Sequence, residues 1–132
     1  MSLSIFFISK DEGIETDLEK DINIISDLEE EVNQHCSSVF GFESFRNSLW
    51  GHEIIKTLGC EMVYSLKEYD IYAFNENILK LKSEFLIILE NLDLVEKETG
   101  IEKDAIEVRV NNALAYIEVA ERNSDKVGIF IG

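Results

Sequence analysis

The sequence predicts an α+β fold, with about four helices packed on a small sheet that includes the N- and C-terminal strands. Three observations predict it. Short apolar runs stand near the two ends, LSIFFI at Leu3–Ile8 and VGIFI at Val127–Ile131, each too brief for a helix and rich in strand-forming residues. Between them, apolar residues recur every three or four positions over long stretches, as one face of a helix requires. Proline is absent, so helices must end at glycine, asparagine or serine.

A polar turn, SKDEG, follows the first strand. Thr16 or Asp17 then caps a helix that runs to about Cys36, with Leu18, Ile22, Ile25, Leu28, Val32 and Cys36 on one side. Asp17, Glu19 and Asp21 near its start favour the helix dipole, whereas Glu29, Glu30 and Glu31 gain nothing from it. Ser37, Ser38 and Gly41 mark a break. Phe42, Phe45 and Leu49, then Trp50, Ile54 and Leu58, fit a second helix, bent or divided at Gly51 and closed by Gly59. Cys60–Phe74 reads as a loop with a short strand, where Tyr69, Ile71 and Ala73 alternate with Asp70, Tyr72 and Phe74.

The Asn75–Val95 stretch is the expected central helix. Ile78, Leu81, Phe85, Ile88, Leu92 and Val95 keep one face, and at about 1.5 Å per residue the helix would reach roughly 30 Å. Thr99–Gly100 stops it. A last helix over Lys103–Asn123 follows from Ile106, Val110, Ala113, Ile117 and Ala120, before the closing strand.

A chain of 132 residues, 45% apolar and 10% aromatic, suits one packed domain over residues 1–132 rather than a disordered segment. The first apolar run has no basic region ahead of it and no small-residue cleavage site behind it, and no segment has the length of a membrane span. A cytoplasmic location is the expectation. Cys36 and Cys60 are too few and too far apart for a disulfide framework.

Net charge is −15, from 27 acidic against 12 basic residues. It opposes direct contact with nucleic acid or an anionic membrane and attracts a cationic protein partner. The segment from Asp11 to Glu31 holds ten acids and a single base, Lys20. The plain reading of such a run is a solvated face; the functional one is a binding surface.

Motifs for chemistry are sparse. HEIIK at His52–Lys56 begins like a zinc-protease HExxH, but Lys56 replaces the second histidine and cannot ligate while charged. His35 and Cys36 are neighbours that would point about 100° apart on a helix. Neither a phosphate-binding glycine loop nor a GxSxG elbow is present, and no metal or cofactor is expected. Arg109 interrupts an apolar run between Val108 and Val110, which calls for a carboxylate partner inside the domain. Trp50, or a tyrosine exposed beside carboxylates, would make an anchor for a protein partner.

The segment EIIKTLG at Glu53–Gly59, the helix RVNNALAYIEVAERN at Arg109–Asn123 and the closing GIFIG together resemble a bacterial immunity-protein family attached to polymorphic toxin systems. The resemblance implies a cytoplasmic inhibitor that binds a cognate toxin and has no chemistry of its own. Asp17, Asp21, Asp27, Glu30, Glu31 and Trp50 are the residues expected to meet that partner. Two alternatives stand beside it: an adaptor that dimerises through an exposed helical stripe or an unpaired terminal strand, and a small hydrolase using His52 with Glu53 or a cysteine.

Overall fold

Strand-forming residues at both ends of the chain meet in the middle of one sheet. In the computed structural model, which describes residues 2–10, 18–34 and 37–132, with the backbone alone over 18–23, β1 (Ser2–Ser9) lies antiparallel to β4 (Val127–Ile131). Ile5 faces Ile131 and Ser9 faces Val127. β2 (Val39–Phe42) flanks β1 and β3 (Ile71–Ala73) flanks β4, giving an antiparallel order β2-β1-β4-β3. The alternation in β1 is direct: Leu3, Ile5 and Phe7 are buried, whereas Phe6 faces outward.

Helices pack against the buried side: α1 (Leu18–Asn33), α2 (Glu53–Thr57), α3 (Glu61–Tyr64), α4 (Glu76–Glu90), α5 (Leu92–Thr99) and α6 (Lys103–Arg122). The α+β class and the inclusion of both terminal strands agree with the sequence reading; the helices among the described residues number six, not about four. One division, of the central helix into α4 and α5, and one added helix, α3 in the segment expected to be a loop, account for the difference. The expected central helix breaks at Asn91, whose side-chain amide donates to the Ile87 carbonyl at 2.8 Å while its backbone N–H reaches Ile88 at 3.0 Å. Regular pairing resumes one residue later, so the apolar spacing through Leu92 and Val95 runs on across the bend. The second expected helix is divided at Gly51, where a Cβ would lie 2.1 Å from the Arg46 carbonyl oxygen. A single π-type turn, Arg46–Trp50, precedes the break and α2 follows it.

Residues 39–42 are a strand where the sequence predicts a break before a helix beginning at Phe42. Phe40 is buried, and Gly41 takes φ +120° opposite the irregular register between Leu3 and Ser4 of β1, a conformation favouring glycine. Buried Asn112 of α6 fixes this strand, donating to the Val39 carbonyl at 3.2 Å and accepting from the Ser37 N–H at 3.4 Å. Within Cys60–Phe74, the short strand is present and the preceding part is helical, as α3 and a 3-10 turn at Ser65–Lys67. The proposed cap at Thr16 or Asp17 and the helix end at Cys36 lie outside the described residues.

The core is one contiguous cluster between the sheet and α4 and α6. Phe40 stacks on Trp50 at 4.3 Å between ring centroids, and Phe85 of α4 meets both rings edge-on at 5.6 and 6.2 Å. Phe7 packs on Tyr116 of α6, whose hydroxyl donates to Asn33 at 3.0 Å and draws the end of α1 onto the same side. No helix among the described residues is long and apolar enough to cross a membrane.

Gly128 shows how tightly the far side of the sheet is built. A Cβ there would stand 2.4 Å from the Ala73 carbonyl oxygen and 2.5 Å from the Phe74 ring. The Gly128→Ala variant is expected to lose about 2 kcal/mol, since β3 or Phe74 must move, read as a lower urea midpoint at unchanged m-value.

Candidate functional site

The expected partner-binding residues fall into three groups. Asp27, Glu30 and Glu31 are exposed on α1, where three- and four-residue spacing gathers them on one side. Glu31 accepts a bond from Arg122 at 3.2 Å, and both groups are half-exposed, so the pair is screened and weak. Asp17 lies outside the described residues, as does the side chain of Asp21, whose backbone belongs to α1. Trp50 is corrected: it is fully buried under Phe40 and Phe85, so it is a core residue and presents no surface to a partner. Its size and apolarity, which suggested an anchor, suit the interior equally well. Tyr69 and Tyr72 are the exposed tyrosines, and Glu68 and Asp70 flank the first of them.

His52 and Cys60, named for the hydrolase alternative, each make a local hydrogen bond. His52 caps α2, its Nδ1 accepting from the Ile54 N–H at 3.1 Å. Cys60 is buried, and its thiol donates to the Glu84 carbonyl at 3.4 Å. Burial, followed by the charge of Glu84, pushes this thiol up to about 12, so it is held protonated and is not a ready nucleophile. Cys36 and His35 lie outside the described residues. Among the described residues no group of three or more histidine, cysteine or acidic side chains could hold a metal ion.

Arg109 finds a different partner from the carboxylate expected. Its Nη1 donates to the Ala105 carbonyl at 3.0 Å, and its guanidinium lies 5.7 Å from the centre of the Phe45 ring. Its Nε is buried without a hydrogen-bond partner.

One buried charge had no signal in the sequence. Glu84 sits on the apolar side of α4 and is 3% exposed. Its Oε1 accepts from the Val63 N–H at 2.9 Å and its Oε2 from the Met62 N–H at 3.2 Å, two donors that the first turn of α3 leaves unpaired. Burial raises its pKa and the two backbone bonds oppose that rise without cancelling it. A glutamate on an apolar helix face, 21 residues from its partner, looks like any other acid in a chain holding 27.

Two further surfaces stand out. A groove of about 460 Å³ where α4, α5 and α6 meet is lined by Glu90, Asp93, Asp104 and Glu107, with Lys103 reaching Asp93 at 3.1 Å. The outer face of the sheet carries aromatic side chains in place of polar ones. Phe130 of β4 stacks with Phe6 of β1 at 6.2 Å and meets Tyr72 of β3 edge-on at 5.1 Å. These are direct register partners, Phe6 with Phe130 and Tyr72 with Phe130. Comparison with known protein families, with curated proteins and with solved structures finds no match for this chain.

Proposed function

We propose that this chain is a non-enzymatic acidic binding protein, an immunity protein that neutralises a cognate toxin by covering a cationic surface on it. The observation that carries the reading is the charge: −15 over 132 residues, with Asp27, Glu30 and Glu31 exposed on one helix and an acidic groove at the junction of α4, α5 and α6. Charge of one sign over several faces draws an oppositely charged protein in from a distance and orients it on arrival. Toxins that attack nucleic acid must be cationic at the face that meets phosphate, and an acidic protein occupies that face in competition with the substrate. His52 Nδ1 and the Cys60 thiol each make a hydrogen bond within the fold, which supports a reading in which the surface is the means of action.

The test is charge reversal at Asp27, Glu30 and Glu31 to lysine, with binding to the product of a neighbouring toxin gene followed by calorimetry across a salt series. Affinity is expected to fall by about tenfold or more at low salt, and the dependence on salt to flatten. Unchanged affinity and slope would remove α1 from the interface.

A further inference from the structure

Among the described residues, β1 buries Leu3, Ile5 and Phe7 on one side of the sheet, and the opposite side carries Phe6, Val39, Phe42, Tyr72 and Phe130. Phe6 is 42% exposed, Val39 46%, Phe42 62% and Tyr72 58%. None of the outward strand positions holds a charged side chain: β1 offers Ser2, Ser4, Phe6 and Ile8 there, and its neighbours add only apolar or aromatic residues. A sheet face turned to water is ordinarily polar. Here, taking about 150–250 Å² for each aromatic side chain, the open apolar area reaches roughly 400 Å², the size of the largest patches on monomeric proteins.

Charge decides what fits. The rim at the start of β1 is acidic: Glu43 follows Phe42, and the Asp70 carboxylate and the Phe130 ring both lie within 3 Å of the place a Cβ on Gly132 would take. Arg46 is paired with both Glu43 and Asp70, leaving one net negative charge on this rim, while Lys10 and Lys126 stand at the opposite end of β1 and β4. A second copy would bring the same carboxylates and another −15 to the contact. Nucleic-acid bases would stack on the rings, but their phosphates would meet the same charge.

We propose that the outer face of the sheet, centred on Phe6, Phe130 and Tyr72, docks a protein partner that presents an apolar patch bordered by arginine or lysine. The apolar patch covers the rings, and the bordering cations meet the carboxylates of Glu43 and Asp70 and the exposed faces of the aromatic rings. The inference rests on the reading of the chain as a binder of a cationic protein, and assigns that partner a face.

The experiment is an NMR titration of the labelled full chain with three 12-residue peptides, alternating Arg–Val, Arg–Ser and Glu–Val. The Arg–Val peptide is expected to bind at least tenfold more tightly than the other two and to shift the resonances of Phe6, Tyr72 and Phe130. A Phe6→Ser/Tyr72→Ser double substitution should then weaken it about tenfold; the mapping on the unaltered chain stands whether or not that variant folds. Equal binding of both arginine peptides, with shifts confined to Asp27, Glu30 and Glu31, would overturn the face while sparing the cationic partner. Binding of neither arginine peptide at low salt would remove both. Sedimentation showing a dimer lost on the double substitution, or tighter binding of a 12-nucleotide oligouridine, would give the face to a second copy or to single-stranded nucleic acid and overturn the proposal.

Discussion

Ile88→Asp is expected to strip the domain of a large share of its stability at 25 °C. Ile88 is fully buried in α4, one turn from Glu84 and Phe85, on the face that meets the sheet and α6. An aspartate there loses the burial of the isoleucine side chain and leaves a carboxylate without partners, together costing more than about 4 kcal/mol. A domain of this size has about 5–15 kcal/mol in total, so a large share of the stability should be lost. Circular dichroism and urea titration would show the loss, and Leu79→Asp on the exposed side of the same helix should shift stability by no more than about 0.5 kcal/mol. A cooperatively folded Ile88→Asp protein with a near-native midpoint would place the core elsewhere.

The second large effect belongs to Glu84. Replacing it by alanine orphans the Met62 and Val63 N–H groups and opens a cavity under α3, at a cost of about 2–4 kcal/mol at pH 7 after relief of the buried charge. The pH dependence has a defined sign. Because burial raises the folded-state pKa above the ordinary value of 4.5, the folded protein holds this proton more tightly than the unfolded chain. The contribution is fully present below about pH 4.5 and is lost as pH rises through the folded pKa. Urea midpoints measured from pH 4.5 to 8 should therefore fall less steeply for Glu84→Gln, which has no charge to lose, than for the native protein. Parallel curves would show that Glu84 is already ionised in both states over that range.

Much of the fold is legible in the sequence because burial and periodicity report the same thing. β1, α6 and β4 are found at nearly their expected positions, since their apolar spacing has no competing explanation. α4 is found too, but its end is not. Periodicity records which residues are buried, and Leu92 and Val95 bury just as well after the bend at Asn91 as they would on a straight helix. β2 is hidden because Ser37, Ser38 and Gly41 read as a break and Phe42, Phe45 and Leu49 have a spacing compatible with a helix, and the residue that pins the strand, Asn112, stands more than seventy positions away. The acids of α1 are legible as charge and in part as exposure. The aromatic outer face is not, because a phenylalanine on the open side of a strand looks in sequence like one more core residue; only strand order and the placement of the helices separate Phe6 from Phe7.

The pairing of β1 with β4 at the centre of the sheet also governs how the molecule is made. Ile5 and Ile131 stand nearly the whole described chain apart, so a large loop must close before either gains its neighbour. Native contacts of such long range slow folding compared with a helical bundle of the same length. During synthesis the first strand leaves the ribosome long before its partner is made. Until Val127–Ile131 is released, SIFFI waits with its backbone unpaired on that side and two adjacent phenylalanines uncovered. The β1–β4 pairing that completes the centre of the sheet therefore has to wait until translation has passed β4.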